Sequence, residues 1–328
     1  MPVVSLRAPR LALAHLLKAL RLGRVTPGGL LALLLGLAPG ASFACACGCG
    51  VFDVGTESMF SLHAGWMYFL EYDYLDQNKN WSGTSSAPAG ANPDKRIRTS
   101  FVNAGFKYQW DRSWGVSVEV PYWQRRFDTT DADTGTSVGF SHGAVGDIRI
   151  KGAYTGFSPD MSTGVTFGVK LATGDSAYAN FDPDTSIGSG STDLLLGAYH
   201  LGSLTADNQW RYFVQTQWDK PVAHKAAYSP GQELVVAAGA YYEGWQVSPS
   251  VKIAPVLQVS ATYRGHDGGP SGHPEDSGYT RLLATPGIEV DVGRVTAFVD
   301  LGLPVFVNAS GNQLVSSQFW RLNLSYHL

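Results

Sequence analysis

Three cysteines near the N-terminus form the densest group of reactive side chains in the chain. Cys45, Cys47 and Cys49 alternate with Ala46 and Gly48. Thiolates are soft ligands that select Cu(I) or Zn(II), so this spacing predicts a metal- or redox-linked segment. No His or fourth Cys lies nearby in the sequence to complete a tetrahedral zinc site. A lipid on Cys45 and a simple oxidised tail are therefore open alternatives.

Charged residues of both signs form the second group, and they alternate with apolar residues. In residues 62–75, for example, Glu71 and Asp73 alternate with Leu70, Tyr72 and Tyr74. Successive side chains of a strand point to opposite faces, so such a segment has one polar face and one apolar face. The predicted polar-face candidates are Glu71, Lys107, Glu119, Arg125, Asp147, Arg149, Lys151, Lys170, Asp193, Arg211, Asp219, Arg281, Glu289 and Arg321.

The elements that carry these charges are predicted as twelve strands separated by alternately short and long connections. They cover residues 62–75, 99–110, 114–126, 144–154, 163–173, 191–200, 210–219, 232–243, 251–264, 280–291, 294–306 and 316–328. This pattern predicts an all-β fold: a transmembrane antiparallel up-and-down β-barrel of about twelve strands, with long extracellular loops and short periplasmic turns. The charged face then lines the lumen, either as a small-solute pore or as a salt-bridge network that fills the barrel.

The N-terminus has the pattern of a secretory signal peptide. A basic region with Arg7 and Arg24 precedes the apolar run 30–38, and a small-residue site ends at Ala44. The run is too short for a membrane-spanning helix. We therefore predict a signal peptide at 1–44, a Cys-containing periplasmic segment at 45–60 and an outer-membrane barrel at 61–328.

Composition and motifs argue against two other function classes. The chain has 24 Lys and Arg against 27 Asp and Glu and no basic run beyond the leader, so it lacks the electrostatic footprint of a nucleic-acid binder. It contains no nucleophile elbow and no phosphate-binding loop, and so we expect no enzyme.

Four segments resemble a known family of outer-membrane barrels. They are Gly146–Gly152 with the sequence GDIRIKG, Lys170–Asp175 (KLATGD), Gly188–Asp193 (GSGSTD) and Pro286–Glu289 (PGIE). Together they resemble the transporter-like proteins labelled as putative members of the meta-pathway of phenol degradation. The resemblance covers roughly residues 60–328. It implies a barrel in the outer membrane of a Gram-negative bacterium that passes small organic molecules, and it hands over no substrate-binding residues.

The sequence thus predicts an outer-membrane channel for small solutes, including aromatic or other organic ones, with a narrow charged lumen. The alternative is a non-conducting barrel that presents the Cys segment to a periplasmic partner. On either prediction the barrel wall contacts outer-membrane lipid, and no cofactor is required other than Cu(I) or Zn(II) at the cysteines.

Overall fold

The computed structural model describes residues 63–225 and 227–328. The predicted signal peptide and the segment that carries Cys45, Cys47 and Cys49 lie outside the described residues. Their roles and bounds stay predictions.

The described part of the chain is almost entirely β-strand. Its strands are β1 (Gly65–Gly83), β2 (Ser85–Ser86), β3 (Asp94–Gln109), β4 (Trp114–Thr130), β5 (Ser137–Val145), β6 (Arg149–Tyr154), β7 (Thr163–Lys170), β8 (Ser191–Ser203), β9 (Trp210–His224), β10 (Glu233–Tyr242), β11 (Trp245–Ser248), β12 (Val251–Arg264), β13 (Tyr279–Val292) and β14 (Val295–His327). Three short 3-10 turns lie at Ala89–Ala91, Pro183–Thr185 and Pro274–Asp276. Among the described residues, no helix is long and apolar enough to cross a bilayer.

Eleven strands close into an antiparallel barrel, and β2, β5 and β11 lie outside its continuous path. The ladder runs from β10 through β9, β8, β7, β6, β4, β3, β1, β14, β13 and β12, and pairing of β12 with β10 closes it. The count of twelve predicted from the sequence differs by one. The predicted strands 294–306 and 316–328 belong to the single strand β14, which is 33 residues long.

The two arms of β14 lie side by side. His327 N donates a hydrogen bond to Arg294 O at 2.9 Å, and the first arm pairs with β13 while the second pairs with β1. The physical reason for the difference in count is that extended backbone continues through the bend near Gly311, whose φ of 63° suits glycine.

Two connections predicted as long loops are partly strand. β1 continues to Gly83 and β3 begins at Asp94, so much of 76–98 is paired backbone, with Gln77 opposite Ile97. β4 and β5 likewise extend as a hairpin that ends at Asp131. There Asp131 Oδ1 accepts hydrogen bonds from the backbone N–H groups of Asp133 and Thr134 and from the Thr134 hydroxyl. These hydrogen bonds lower the pKa of Asp131.

The outer surface of the barrel is apolar and aromatic. On β1 the exposed side chains are Trp66, Tyr68, Leu70 and Tyr72, and equivalent apolar residues face outward on the other strands. Indole and phenol rings lie towards the short connections, where Tyr108 contacts both Trp66 and Trp110 and Trp114 packs against Tyr154. An apolar band with aromatic residues at its edge is the surface that a bilayer requires of a barrel.

The inner surface combines polar and apolar regions. An apolar cluster fills part of the interior with residues from eight strands: Leu75, Phe101, Leu201, Phe213, Val235, Ala237, Tyr241, Val256, Leu283, Phe298 and Phe319. The rest of the interior carries charged and amide side chains. Inward positions of β8, β9, β10, β13 and β14 thus carry leucine and aromatic residues beside the charged ones.

Candidate functional site

Most of the lumen candidates predicted from the sequence are buried or line a cavity of the barrel. On β1, Glu71 and Asp73 are buried while Tyr72 between them is exposed, and the same alternation holds on the other long strands. The candidates do not form one site. They divide into two cavities along the wall β4–β9, an acidic group on β1 and β14, and several separate residues.

The upper cavity lies towards the long connections and has a volume of about 120 Å³. Its lining contains five carboxylates and three basic side chains: Asp147, Asp184, Asp193, Asp219, Glu233, Arg149, Lys170 and Arg264. Lys170 Nζ lies 2.5 Å from Asp193 Oδ2, and Arg149 lies 3.8 Å from Asp219. Lys170 and Asp193 lie opposite each other on the neighbouring strands β7 and β8, and Arg149 of β6 reaches Asp219 of β9.

Arg264 forms a further matched group in the same cavity. Its guanidinium lies 2.7 Å from Asp267 Oδ1, and the Tyr228 hydroxyl donates to the other oxygen of Asp267 at 2.9 Å. Both members of the ion pair are buried. This group orders the connection between β12 and β13 rather than leaving mobile charge in the lumen.

The 174–190 loop closes one side of the upper cavity. Asp147, at the break between β5 and β6, holds both of its ends. Oδ1 accepts a hydrogen bond from Gly174 N at 2.9 Å, and Oδ2 accepts from Ser189 N at 2.8 Å and from Ser189 Oγ at 2.6 Å. Between these ends, the buried Arg125 donates to the carbonyl oxygens of Thr185 and Ser186. Arg125 therefore supports the loop and does not line the cavity.

Gly174 and Gly188 meet backbone to backbone at this clamp. A Cβ on Gly188 would lie 2.4 Å from the carbonyl carbon of Gly174. This distance is too short for any residue other than glycine. Three of the four family-like segments therefore converge at one point, since they supply Asp147, Gly174 and the Gly188–Ser189 pair. Their common role is to fold the loop onto the barrel mouth.

The outer side of the same loop packs against the β4–β5 hairpin. The ring of Tyr178 stacks on His142 with 3.8 Å between centroids, and His142 Nε2 lies 2.9 Å from Asp175 Oδ2. Phe181 continues the stack towards Phe127. Nearby, burial raises the pKa of the Asp182 carboxyl above its ordinary value.

The lower cavity lies towards the short turns and has a volume of about 110 Å³. Its charged lining residues are Lys107 and Lys151, and no carboxylate of the described residues lines it. Amides and hydroxyls supply the rest of its polar surface, among them Gln215, Gln217 and Ser117. Gln217 precedes Asp219 by two residues on β9, so the two cavities are stacked along one wall.

The acidic group on β1 and β14 is packed rather than open. Arg321 Nε lies 3.3 Å from Asp73 Oδ1 and 4.0 Å from Asp300 Oδ1, and all three side chains are fully buried. Asn103 donates to Glu71 at 3.1 Å. This group fills the barrel beside the apolar cluster, which is the outcome that the salt-bridge alternative expects.

The remaining candidates lie apart from both cavities. Glu119 pairs across the ladder with Arg149, and Glu289 is buried on β13. Arg281 lies over the ring of Tyr279 at 5.2 Å from its centroid. Arg211 is opposite Ser203, near the short-turn end.

The sequence patterns did not identify several residues that line the two cavities. Glu233 and Tyr199 lie on inward positions of β10 and β8, and strand alternation alone could have identified them. Ser189 and Asp184 belong to the 174–190 loop, for which no periodic signal exists. In the described part of the chain, no group of three or more His, Cys, Asp or Glu residues could hold a metal ion.

The sequence matches no protein-family model, and no curated protein is similar to it. The label carried by the sequence resemblance therefore stays a prediction. The crystal structure of an outer membrane channel from Pseudomonas putida F1 is similar with a TM-score of 0.62 and 13% identity, over 84% of this chain and 100% of that chain. At this identity the likeness is one of fold.

Two other solved barrels align over most of this chain. The β domain of the Bordetella autotransporter BrkA matches with a TM-score of 0.47 and 11% identity, over 81% of this chain and 100% of that domain. The CymD monoaromatic hydrocarbon channel matches with a TM-score of 0.43 and 10% identity, over 89% of this chain and 99% of that channel. Likeness at these scores carries no argument about this chain.

Proposed function

We propose that the protein is a bacterial outer-membrane channel that passes small organic solutes along one wall of its lumen. The observation that carries this proposal is the stacking of two cavities, of about 120 and 110 Å³, along the β4–β9 wall. A barrel whose interior served only as a packed core would have no reason to keep adjoining polar cavities beside well-packed apolar residues.

The two sides of the lumen suit solutes that are partly polar and partly apolar. Lysine, glutamine and hydroxyl groups line the lower cavity, while Phe213 and Tyr241 belong to the apolar cluster beside it. Polar groups orient a ligand and apolar surface supplies most of its contact area. Small organic molecules with one polar end are therefore the proposed solute class.

Two observations support both a location in the outer membrane and the proposal that the protein is not an enzyme. The outward face is apolar and rich in aromatic residues, and the fold is similar to that of an outer membrane channel. We therefore assign transport to the lumen and no enzymatic reaction.

Conductance and solute uptake test the proposal directly. The protein without its predicted signal peptide would be refolded, and its single-channel conductance would be measured in a planar bilayer, together with liposome swelling in neutral solutes of increasing size. We expect steady conductance and swelling that falls with solute size. A correctly folded barrel with neither property would overturn the proposal.

One pair of substitutions links the conductance to the cavities. Ser117→Trp places an indole in the lower cavity, whereas Val118→Trp places the same group on the lipid face of the next position. We expect the inward variant to lose at least half of the conductance and the outward variant to keep it. Equal effects would show that current does not follow this wall.

A further inference from the structure

The outer surface of the barrel changes from apolar to polar at one height on β1, β3, β4 and β5. Towards the long connections, the last exposed large apolar side chains of these strands are Tyr72, Tyr122 and Val145. Val102 of β3 is opposite both Tyr72 and Tyr122. Val145 is opposite Tyr122, so the four residues lie at one level of the ladder. Phenol rings at the edge of an apolar band mark the boundary between hydrocarbon and lipid headgroups.

Charged side chains occupy the same outward face a little further out. Alternate residues of a strand share a face, so Tyr122 is followed on this surface by Gln124 and then by Arg126. Arg126 is directly opposite Arg98 of β3, and Arg98 is directly opposite Asp76 of β1. The surface therefore passes from apolar through neutral polar to charged within four residues of β4, which is about 13 Å of extended chain.

Three arginines and two aspartates form this charged group, which we call the arginine patch: Arg96, Arg98, Arg126, Asp76 and Asp128. Arg96 donates from Nε and Nη2 to the two oxygens of Asp76. Asp128 accepts from Arg98 Nη2 and from Arg126 Nε, both at 3.1 Å. Because three guanidiniums face two carboxylates, the patch has one formal positive charge in excess.

The arginines keep donors for a further acceptor although each of them has an acidic partner. A guanidinium has five N–H donors, and Arg126 uses its Nε in the contact with Asp128 while 51% of its side chain is exposed. Arg98 Nε is shielded from solvent and has no hydrogen-bond partner among the described residues. Like charges directly opposite each other on a ladder are destabilising. An anion beside Arg98 and Arg126 would relieve both costs.

The neighbouring strand leaves the patch accessible from the side. Gly139 of β5 is opposite Asp128, and a Cβ there would lie 2.8 Å from Arg126 Nη2. Ser141 is the next residue of β5 on the same face and is opposite Arg126. A glycine and a serine beside the guanidiniums leave room for a ligand of the size of a phosphate group.

From these observations we infer that the arginine patch binds the phosphorylated headgroup of a lipid of the outer leaflet. The phosphate accepts hydrogen bonds from Arg98 and Arg126, because the planar guanidinium fork matches phosphate oxygens bidentately. The acyl chains of the same lipid lie against the apolar band that ends at Tyr72 and Tyr122. The inference rests on the proposed location in the outer membrane, with the long connections on its outer side, and does not depend on transport of a solute.

Binding of lipid A tests the patch without requiring conductance. The protein without its predicted signal peptide would be folded in a nonionic detergent and mixed with lipid A that carries two phosphates, or with the same lipid after removal of both phosphates. Native mass spectrometry would count the bound lipid. We expect at least tenfold tighter binding of the phosphorylated form, and Arg98→Gln/Arg126→Gln should lose this preference. Equal binding of the two lipids, or an unchanged preference in the double variant, would overturn the inference.

Two further variants separate phosphate recognition from misfolding and from a general effect of charge. Arg112→Gln/Arg294→Gln removes two exposed arginines at the short connections, the opposite end of the barrel, and should keep the full preference. Arg98→Lys/Arg126→Lys keeps both charges without the guanidinium fork and should keep more of the preference than the glutamine variant does. A loss at the short connections as large as that in the patch would contradict the site.

Competition and conductance distinguish the remaining outcomes. Inorganic phosphate, equimolar with lipid A, should leave lipid binding unchanged because it has no acyl chains to contact the apolar band. Displacement of the lipid by phosphate would assign the patch to a free anion and overturn the assignment to a lipid. Selective lipid A binding by a barrel that conducts no ions would remove the proposed channel and support this inference. Steady conductance without selective lipid A binding would do the reverse.

Discussion

The upper and lower cavities lie on the same wall of the barrel, but their charges are arranged in different ways. In the upper cavity, Lys170 and Asp193 form a close buried pair, and Arg149 faces Asp219. In the lower cavity, Lys107 and Lys151 share a level with serine and glutamine and no carboxylate. The first arrangement brings charges of opposite sign together, whereas the second lines a cavity with two charges of the same sign.

The number of inward charges does not by itself predict a selectivity site. Strand alternation assigns Lys170 and Lys151 to the same inner face and does not distinguish one from the other. The neighbours across the ladder distinguish them, since Lys170 is opposite Asp193 while Lys151 is opposite Ser117 and Gly168.

The largest expected effect is the loss of stability when the upper pair is broken. Lys170→Gln leaves Asp193 buried without its ammonium partner, which costs roughly 3–5 kcal/mol for a buried pair. Lys151→Gln should cost less free energy of unfolding than Lys170→Gln, because Lys151 lines a cavity and is only half-buried. Urea unfolding of the refolded barrels measures both values. Similar losses in the two variants would contradict the distinction between the cavities.

The next effect concerns the loop that closes the upper cavity. Asp147→Ala removes the acceptor of three hydrogen bonds and leaves the partly buried N–H groups of Gly174 and Ser189 without it, at about 1 kcal/mol each. We expect release of the 174–190 loop, faster protease cleavage within it and at least a twofold rise in conductance. Asp133→Ala, in the exposed β4–β5 turn, is the matched control. A conductance that stays the same with a cleaved loop would show that the loop does not narrow the channel.

A smaller effect is expected on ion selectivity. Lys151→Glu reverses one of the two charges of the lower cavity and should shift the anion-to-cation permeability ratio about threefold towards cations, since rings of charge set the selectivity of narrow pores. The reversal potential in a salt gradient measures this ratio. Lys79→Glu, at an exposed position of β1, should leave it unchanged. A shift in the control as large as that in the lumen variant would indicate a surface-charge effect.

The smallest effect is a dependence of loop packing on pH. Burial raises the pKa of Asp182, so the folded loop binds a proton more readily than the released loop does. Packing is therefore favoured below the raised pKa and weakens as the pH increases through it. Protease cleavage of the loop should increase with pH in the wild type and depend less on pH in Asp182→Asn. Identical pH profiles would assign the dependence to another group.

Strand alternation predicted much of the fold and the orientation of its side chains. It placed Glu71 and Arg321 on the inner face and Trp66 and Tyr72 on the outer face, where the structure has the first two buried and the last two exposed. It also predicted a closed antiparallel barrel, although two predicted strands merge in β14. The partly paired segments 76–98 and 127–143 were predicted as loops because their Gly, Ser and Asp residues are typical of turns, and ladder pairing overrides that preference.

The candidate site was predictable only as a list of inward residues. Arg125 was predicted as a lumen residue and instead holds the carbonyl oxygens of the 174–190 loop. The family-like segments around Asp147, Gly174 and Gly188 were recognised as motifs, but their joint role depends on a contact between residues that lie far apart in the sequence. Period-2 patterns carry no information about such contacts.

The sequence by itself determined which side chains face lipid and which face the lumen, because alternation is a property of extended backbone and needs no partner strand. The tertiary structure alone decided which inward charges neutralise one another, where the apolar cluster fills the barrel and where a loop closes its mouth. These features depend on strand register and on contacts between distant segments, such as Arg149 with Asp219 and Asp147 with Ser189. Register sets the distance between charges, and that distance decides which of them form ion pairs.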